Sequence, residues 1–199
     1  MVAEERQQLL INQEILTHLD LRVAGGKFAR AYEGTIPHLV AETVLEFRQA
    51  RHPLLLFGPD GLPTNNAAVP IDIRIGDGNA VLVLSGPNTG GKTVALKTVG
   101  LLLLMVRAGL PVPCHPDSRV HLFSRLYADI GDEQSIEEHL STFSGHLSRL
   151  RQILDEADDD TLVLFDEAGT GTDPGEGAAL IISAIDSLRE RGSKVVLTT

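Results

Sequence analysis

The chain has 199 residues, of which 43% are hydrophobic, and a formal net charge of −10. It is long enough for one main domain with a packed core, and its acidic balance gives DNA or RNA no general attraction, so nucleic-acid binding must lie mainly outside this chain. One cysteine excludes an internal disulfide, and the acidic amino end and short apolar runs argue against a signal peptide and a membrane span. We therefore expect a cytoplasmic protein with no membrane partner.

The first predicted element is a long helix over residues 4–32. Its apolar residues recur at spacings of seven, three and four: Leu9, Leu16, Leu19 and Val23. Such a stripe is typical of a packed helix, although Gly25 and Gly26 weaken its end. Because one amphipathic helix cannot bury its face alone, we expect this helix to be one arm of a longer helical element.

From about Thr43 the pattern changes to short β-type segments separated by turns. VPIDIRIG alternates apolar and polar residues, as in a strand with one buried face. AVLVLS, at residues 80–85, is continuously apolar, as expected of a central parallel strand covered on both faces, and TLVLF and KVVLT repeat the pattern. The helices predicted between these strands cover residues 93–108, 141–157 and 175–191. This alternation predicts an α/β fold with a mostly parallel central sheet flanked by helices.

A phosphate-binding loop is predicted between the strand at 80–85 and the helix that follows it. GPNTGGKT fits the pattern GxxxxGK[ST], in which backbone amides form a concave nest and the helix N-terminus adds partial positive charge. The residues assigned to ATP binding in this loop are Gly86, Pro87, Asn88, Thr89, Gly90, Gly91, Lys92 and Thr93. We expect Lys92 to reach the β and γ phosphates and the Thr93 hydroxyl to ligate Mg²⁺.

The second part of the predicted chemistry is the acidic pair in TLVLFDE. The apolar run places Asp166 at the carboxyl end of a strand, where ligands of open sheets bind. We expect Asp166 to hold Mg²⁺ through water and Glu167 to orient and polarise the attacking water, which favours hydrolysis over phosphoryl transfer. The acidic run at residues 155–160 is instead predicted to be a solvated turn.

The third part is HLSTFSGHLSRLRQIL, from His139 to Leu154, whose apolar residues alternate spacings of three and four. One face of this helix is expected to pack inward, with Ser141 near the first turn as an N-cap. By itself, a Ser-Thr pair at a helix start is more often an ordinary cap than a phosphate contact.

Four motifs stand in the order GPNTGGKT, IGDEQSIEEHLSTF, LVLFDEAGTGTDPGEG and VVLTT. In that order and at those separations they resemble the ATPase domain of the MutS family, which belongs to the ABC-type ATPases. RQARHPLL and GTGTDPGEGAAL are similar to the second bacterial branch, the MutS-two proteins. The resemblance covers about residues 8–199. It implies a P-loop NTPase fold of ABC type over residues 39–199, truncated at the C-terminus, after an α-helical stub over residues 1–38 from the helical core and lever.

The resemblance also implies a homodimer in which ATP is clamped between the two subunits. The phosphate loop of one subunit would hold ATP, and Ser141 and Thr142 of the partner would approach the γ phosphate across the interface. The segment 169–177 would join that interface. Each subunit would then supply half a site.

Further site residues are implied by the same resemblance. Gln134 would sense Mg²⁺ and the nucleophilic water, and is counted with Glu167 and Lys92 among the catalytic residues. His52 and Pro53 would lie near the adenine. Asn66 stands where MutS proteins place an aromatic residue to stack on the base.

For the full-length protein the resemblance implies a clamp on branched DNA that suppresses homologous recombination, with an endonuclease domain in a C-terminal part that is missing here. An alternative is an ATPase that senses collided ribosomes through rRNA. A third class is a monomeric P-loop kinase. Glu167 next to Asp166 and the LSTF helix start argue against it. We expect the isolated chain to bind nucleotide but to hydrolyse little of it.

Overall fold

The computed structural model describes residues 5–64, 68–130, 139–167 and 173–199. Its helices are α1 (Arg6–Ala31), α2 (Lys92–Arg107), α3 (His139–Glu156) and α4 (Pro174–Glu190). Its strands are β1 (His38–Leu39), β2 (Leu45–Ala50), β3 (Ile71–Ile75), β4 (Val81–Leu84), β5 (Arg119–Val120), β6 (Arg125–Asp129), β7 (Thr161–Phe165) and β8 (Lys194–Thr198). Short 3₁₀ turns stand at Pro53–Leu56 and Asn88–Gly90. No helix in these described ranges is long and apolar enough to cross a membrane.

Helix α1 runs through Gly25 and Gly26 without a break, because the loss of helix propensity at two glycines is small beside the length of the helix. The predicted apolar stripe is exposed: Leu9 is 54%, Leu16 63%, Leu19 55% and Val23 45% accessible. Packing is found at the C-terminal end of α1. Tyr32, the residue after the helix, is buried, and its hydroxyl donates to the Pro111 carbonyl oxygen at 2.7 Å. The expected burial of the stripe is therefore not found within the described residues.

The eight strands form two four-stranded sheets. The first has the order β1-β5-β2-β3, with β1 and β5 parallel and β2 antiparallel to both of its neighbours. The second has the order β4-β8-β7-β6, and every pair of neighbouring strands in it is parallel. The predicted α/β fold with a parallel sheet flanked by helices is confirmed.

Strand β4 lies at an edge of the parallel sheet, and this corrects the prediction that AVLVLS is a central strand. Among the described strands it pairs only with β8, and Val83 is 52% exposed. An apolar run indicates that both faces of a strand can be covered, but it carries no information on which strands lie beside it.

Helices cover both faces of the parallel sheet because its buried side chains alternate between them. Leu162 and Leu164 of β7 belong to the core that includes α2, whereas Val163 and Phe165 belong to the core that includes α3 and α4. Helix α2 approaches closely at Gly100, where an added Cβ would lie 2.9 Å from Leu164 Cδ1. Burial of each such leucine contributes about 1.5–3 kcal/mol. Because these strands are parallel, their carboxyl ends all lie at the same end of the sheet, where α2 begins.

The acidic run was predicted to be a turn over residues 155–160, but Asp155 and Glu156 end α3 and only residues 157–160 connect it to β7. The carboxylates of this connection are not all free in solvent. Asp158 Oδ1 accepts a 2.7 Å hydrogen bond from Thr161 Oγ1, and Asp160 Oδ1 lies 2.6 Å from His121 Nε2. In the described part of the chain, no group of three or more His, Cys, Asp or Glu side chains could hold a metal ion. The turn is therefore structural.

Candidate functional site

The loop between β4 and α2 is closed by its own backbone and by one lysine. Gly86 and Gly91 have φ values of 148° and 76°, which glycine adopts without a steric penalty. Gly90 N donates to the Pro87 carbonyl oxygen at 2.8 Å. Lys92, 8% exposed at the start of α2, donates through Nζ to the Gly86 carbonyl oxygen. The loop thus folds around a buried ammonium group at a helix N-terminus.

Open space faces this loop. At Gly86 and at Gly91 an added Cβ would meet no heavy atom within 4 Å. Their positive φ angles, and not crowding, therefore require glycine at both positions. Because α2 begins at Lys92, the unpaired amides of its first turn and the ammonium both favour an anion here.

The carboxyl end of β7 carries Asp166 and Glu167, and β8 holds both residues in place. Thr198 Oγ1 donates to Asp166 Oδ1 at 2.5 Å and accepts from Glu167 N at 2.8 Å. Thr198 is fully buried. Glu167 has a φ of 45°, which is uncommon for a residue other than glycine. One hydroxyl therefore fixes the carboxylate of one residue and the backbone of the next.

Strand β8 also connects this acidic pair to the glycine loop. Thr199 N donates to the Leu84 carbonyl oxygen at 3.1 Å, directly before the loop begins. Since β8 lies between β4 and β7, the two strand ends are separated by two strand spacings, roughly 10 Å. The acidic pair and the glycine loop therefore lie at the same end of the parallel sheet, where its strands have their carboxyl ends.

Asp129, at the end of β6, contacts two neighbouring elements. Its carbonyl oxygen accepts from Asp166 N at 2.9 Å. Its carboxylate lies 2.7 Å from His146 Nδ1 and accepts from the Arg149 guanidinium at 3.1 Å. Strand β6 thus joins the end of β7 to helix α3.

His52 lies at the start of the 3₁₀ turn Pro53–Leu56 and borders α2. Its Nδ1 is buried and has no hydrogen-bond partner in the described part of the chain. Burial, and then the positive charge of Lys97, lower the pKa of His52 below its ordinary value.

Several predicted site residues have incomplete or no description in the structure. The described helix α3 already includes His139 and Leu140, so Ser141 lies within the helix and its prediction as an N-cap is wrong. The side chains of Ser141 and Thr142 are not among those described. Gln134, Asn66 and the first part of the segment 169–177 lie outside the described residues.

The oxygen atoms near the loop fit Mg²⁺ bound together with phosphates. Asp166 supplies a carboxylate and Thr93, in the first turn of α2, a hydroxyl, and both are hard oxygen ligands of the kind that Mg²⁺ prefers. No larger set of metal ligands is present among the described residues. Mg²⁺ commonly binds in this way, through one or two protein oxygens, with substrate phosphates and water completing its shell.

Sequence reasoning missed Thr198 and Asp129 as site residues. Thr198 is the penultimate residue of the chain and its partner Asp166 stands 32 positions earlier. Asp129 and His146 are 17 positions apart. For Thr198 the available signal is its place at the end of the apolar strand KVVLT, where α/β sheets collect functional side chains. Strand β6, RLYAD, which ends in Asp129, carries no such apolar run.

The fold defines an α/β domain in which the glycine loop and the acidic pair lie at the same end of the parallel sheet. The sequence profile of the family described as MutS domain V matches residues 82–199, and the chain belongs to that family. It is a domain of a MutS-family protein.

Several bacterial proteins named Endonuclease MutS2 are similar to the chain. That of Shouchella clausii is 50% identical over 198 residues, which are 100% of this chain and 24% of the relative. That of Clostridium acetobutylicum is 48% identical over 188 residues, 94% of this chain and 23% of the relative. That of Symbiobacterium thermophilum is 48% identical over 199 residues, again 100% and 24%. The chain therefore spans about a quarter of the length of these relatives.

Proposed function

We propose that this chain binds and hydrolyses ATP as the ABC-type P-loop ATPase domain of a protein of the MutS-two branch. The observation that supports this most is the shared end of the parallel sheet, where the Gly86–Thr93 loop and the Thr198-held pair of Asp166 and Glu167 meet through β8. In this proposal residues 1–38 belong to a helical core and residues 39–199 to the ATPase domain.

Binding would rest on the loop and on the helix that follows it. The backbone amides of residues 86–93 and the N-terminus of α2 would surround the phosphates. Lys92, which now donates to the Gly86 carbonyl oxygen, would turn its ammonium to the β and γ phosphates. His52 is the proposed contact for adenine.

Hydrolysis would rest on Glu167, with Mg²⁺ held by Thr93 and Asp166. Bound Mg²⁺ would neutralise developing phosphate charge. Glu167 would accept the proton of the attacking water, for which its carboxylate stands next to the metal ligand at the strand end. The Glu167 backbone N–H donates to Thr198 Oγ1, so the main chain that carries this carboxylate is held in place. Gln134 is proposed to contact the same water.

The proposed assembly is a cytoplasmic homodimer in which Ser141 and Thr142 close the partner's site. The full-length protein would act on branched DNA and suppress recombination, with an endonuclease domain elsewhere in its chain, as the name of its relatives indicates for them. The net charge of −10 agrees with DNA contacts made by other domains. Sensing of collided ribosomes remains the competing role.

The activity is tested by ATP binding and turnover, measured separately for residues 1–199 and for the full-length protein. We expect both to bind ATP and only the full-length protein to turn it over, because half of each site comes from a partner. Robust turnover by residues 1–199 as a monomer would contradict the shared site. Phosphate transferred to a small acceptor would instead indicate a kinase.

The physiological target is tested by adding four-way DNA junctions or collided ribosomes to the full-length protein. Stimulation of ATP turnover by the junctions, with linear duplex of the same length as the control, is expected. Stimulation by ribosomes alone would contradict the DNA role and leave the ATPase assignment intact.

A further inference from the structure

We infer that Asp129 is a positioning residue for ATP hydrolysis: it fixes helix α3, and with it Ser141 and Thr142, to the strand end that carries Asp166. This inference rests on the proposed function. It assigns no contact with ATP to Asp129. The side chain acts through α3 on the site of the partner subunit.

Both oxygens of the Asp129 carboxylate are used to hold α3. Oδ2 lies 2.7 Å from His146 Nδ1 and Oδ1 accepts from Arg149 at 3.1 Å. Because an ionised carboxylate only accepts, His146 Nδ1 carries the proton in this pair. The Asp129 side chain is 16% exposed, so these charge-assisted bonds are partly shielded from water.

The main chain of Asp129 is bonded to the hydrolytic side of the same subunit. Its carbonyl oxygen accepts from Asp166 N at 2.9 Å. One residue therefore connects the start of the Asp166–Glu167 pair with the middle of α3. A change confined to the Asp129 side chain releases α3 and leaves the bond to Asp166 in place.

The position of α3 matters because it carries two proposed contacts to the partner's γ phosphate. His146 stands five residues after Ser141, about 8 Å along the helix axis. Displacement of a catalytic group by 1 Å can lower a rate about a hundredfold. Without the Asp129 contact the first half of α3 could still shift or rotate by such an amount, since apolar packing is non-directional.

A second contact between β6 and α3 provides a matched control. Tyr127 Oη donates to Glu156 Oε2 at the last turn of α3, far from Ser141. Between the two contacts, Leu150 and Ile153 pack into the core shared with β7 and β8. Residues 127 and 129 lie on the same face of β6 because side chains alternate along a strand. Tyr127→Phe therefore removes a comparable bond to the same helix at its opposite end.

The first experiment measures kcat and KM for ATP in the full-length protein. In Asp129→Asn one acceptor oxygen remains for the Arg149 guanidinium, and the amide group can meet His146 only in the tautomer whose Nδ1 carries no proton, so the charged carboxylate that holds both side chains is lost. We expect kcat to fall on the order of tenfold to a hundredfold, with KM for ATP changed by no more than about twofold. Tyr127→Phe should retain wild-type values. The double variant Asp129→Asn/His146→Ala should lose no more than Asp129→Asn alone.

Three outcomes of this experiment would overturn the inference. Wild-type kcat in Asp129→Asn would show that the contact does not matter for turnover. Equal losses in Asp129→Asn and Tyr127→Phe would show general loosening of α3. An inactive wild-type protein would overturn the proposed function and the inference together, so the two failures are distinguishable.

The closing experiment mixes subunits to locate the site that Asp129 serves. Asp129→Asn subunits retain their own loop and Glu167, and Glu167→Gln subunits retain an intact α3. A mixed dimer then contains one site with both halves intact and one site with both halves altered. In an equal mixture about half of the dimers are mixed, so roughly a quarter of wild-type turnover should be recovered. Absence of recovery, with both variants dimeric and able to bind ATP, would show that Asp129 acts within its own subunit and would overturn the inference.

Discussion

Thr198 Oγ1 donates a hydrogen bond of 2.5 Å to Asp166 Oδ1. The same hydroxyl accepts from Glu167 N at 2.8 Å. Thr198 belongs to β8, which lies between the strand that leads into the glycine loop and the strand that ends in Asp166. The inner strand β8 therefore holds the acidic pair in place through a buried hydroxyl.

Thr198→Val should lower kcat for ATP hydrolysis and leave ATP binding nearly unchanged. Valine has the shape of threonine but leaves Glu167 N and Asp166 Oδ1 without this partner, at a cost of about 1–3 kcal/mol. Turnover and nucleotide titration of the full-length variant would measure both effects. Thr98→Val is the matched control, because Thr98 is also buried and its hydroxyl donates only to the Val94 carbonyl oxygen of its own helix. Equal kcat in the two variants would contradict the role of Thr198.

Lys92→Ala should weaken ATP binding strongly, because it removes the positive charge at the loop. A charge-assisted contact of this kind contributes about 1.5–3 kcal/mol, so the dissociation constant should rise at least about tenfold. Fluorescent-nucleotide titration would measure it. Arg107→Ala, an exposed cation at the opposite end of the same helix, should leave the dissociation constant close to wild type, and equal losses in both variants would indicate general electrostatic attraction.

Asp158→Asn should lower stability at neutral pH and lose its effect in acid. Hydrogen bonds, first from Thr161 and then from Arg125, hold the pKa of the Asp158 carboxyl below its ordinary value. The unfolded chain then binds a proton more readily than the folded one, so this stabilisation is present above the unfolded pKa of about 3.9 and is lost as pH falls through the folded pKa.

The test is urea unfolding of wild type and Asp158→Asn at pH 7, 5 and 3. The difference in unfolding midpoint should be largest at pH 7 and shrink at pH 3. Asp155→Asn is the control, since Asp155 is 70% exposed and pairs only with Arg151 one turn earlier. A difference that stays constant with pH would show that the Asp158 charge is not responsible.

Helix positions and the loop could be read from the sequence because their signals are local. Helix α2 was predicted at 93–108 and spans Lys92–Arg107. Helix α4 was predicted at 175–191 and spans Pro174–Glu190, after Asp173, whose side chain accepts from Gly175 N at 2.9 Å. Proline at the first helical position and aspartate before it are helix-start signals within a few residues.

Strand order and long-range contacts could not be read in this way. The edge position of β4 and the pairing of Thr198 with Asp166 depend on residues far apart in the chain. Asp129 and His146 lie on different elements 17 positions apart, so no local signal connects them. The loop and the acidic pair follow from local motifs and the family from the resemblance, whereas the contacts of Thr198 and Asp129 join distant parts of the chain.

Hydrolysis at the carboxyl end of β7 is tested by Glu167→Gln in the full-length protein under single-turnover conditions. The substitution keeps the shape of the side chain and the hydrogen bond from Glu167 N to Thr198, but removes the group that would accept the proton of water. We predict wild-type affinity for ATP and a cleavage rate lower on the order of a hundredfold or more. A wild-type cleavage rate would contradict the account.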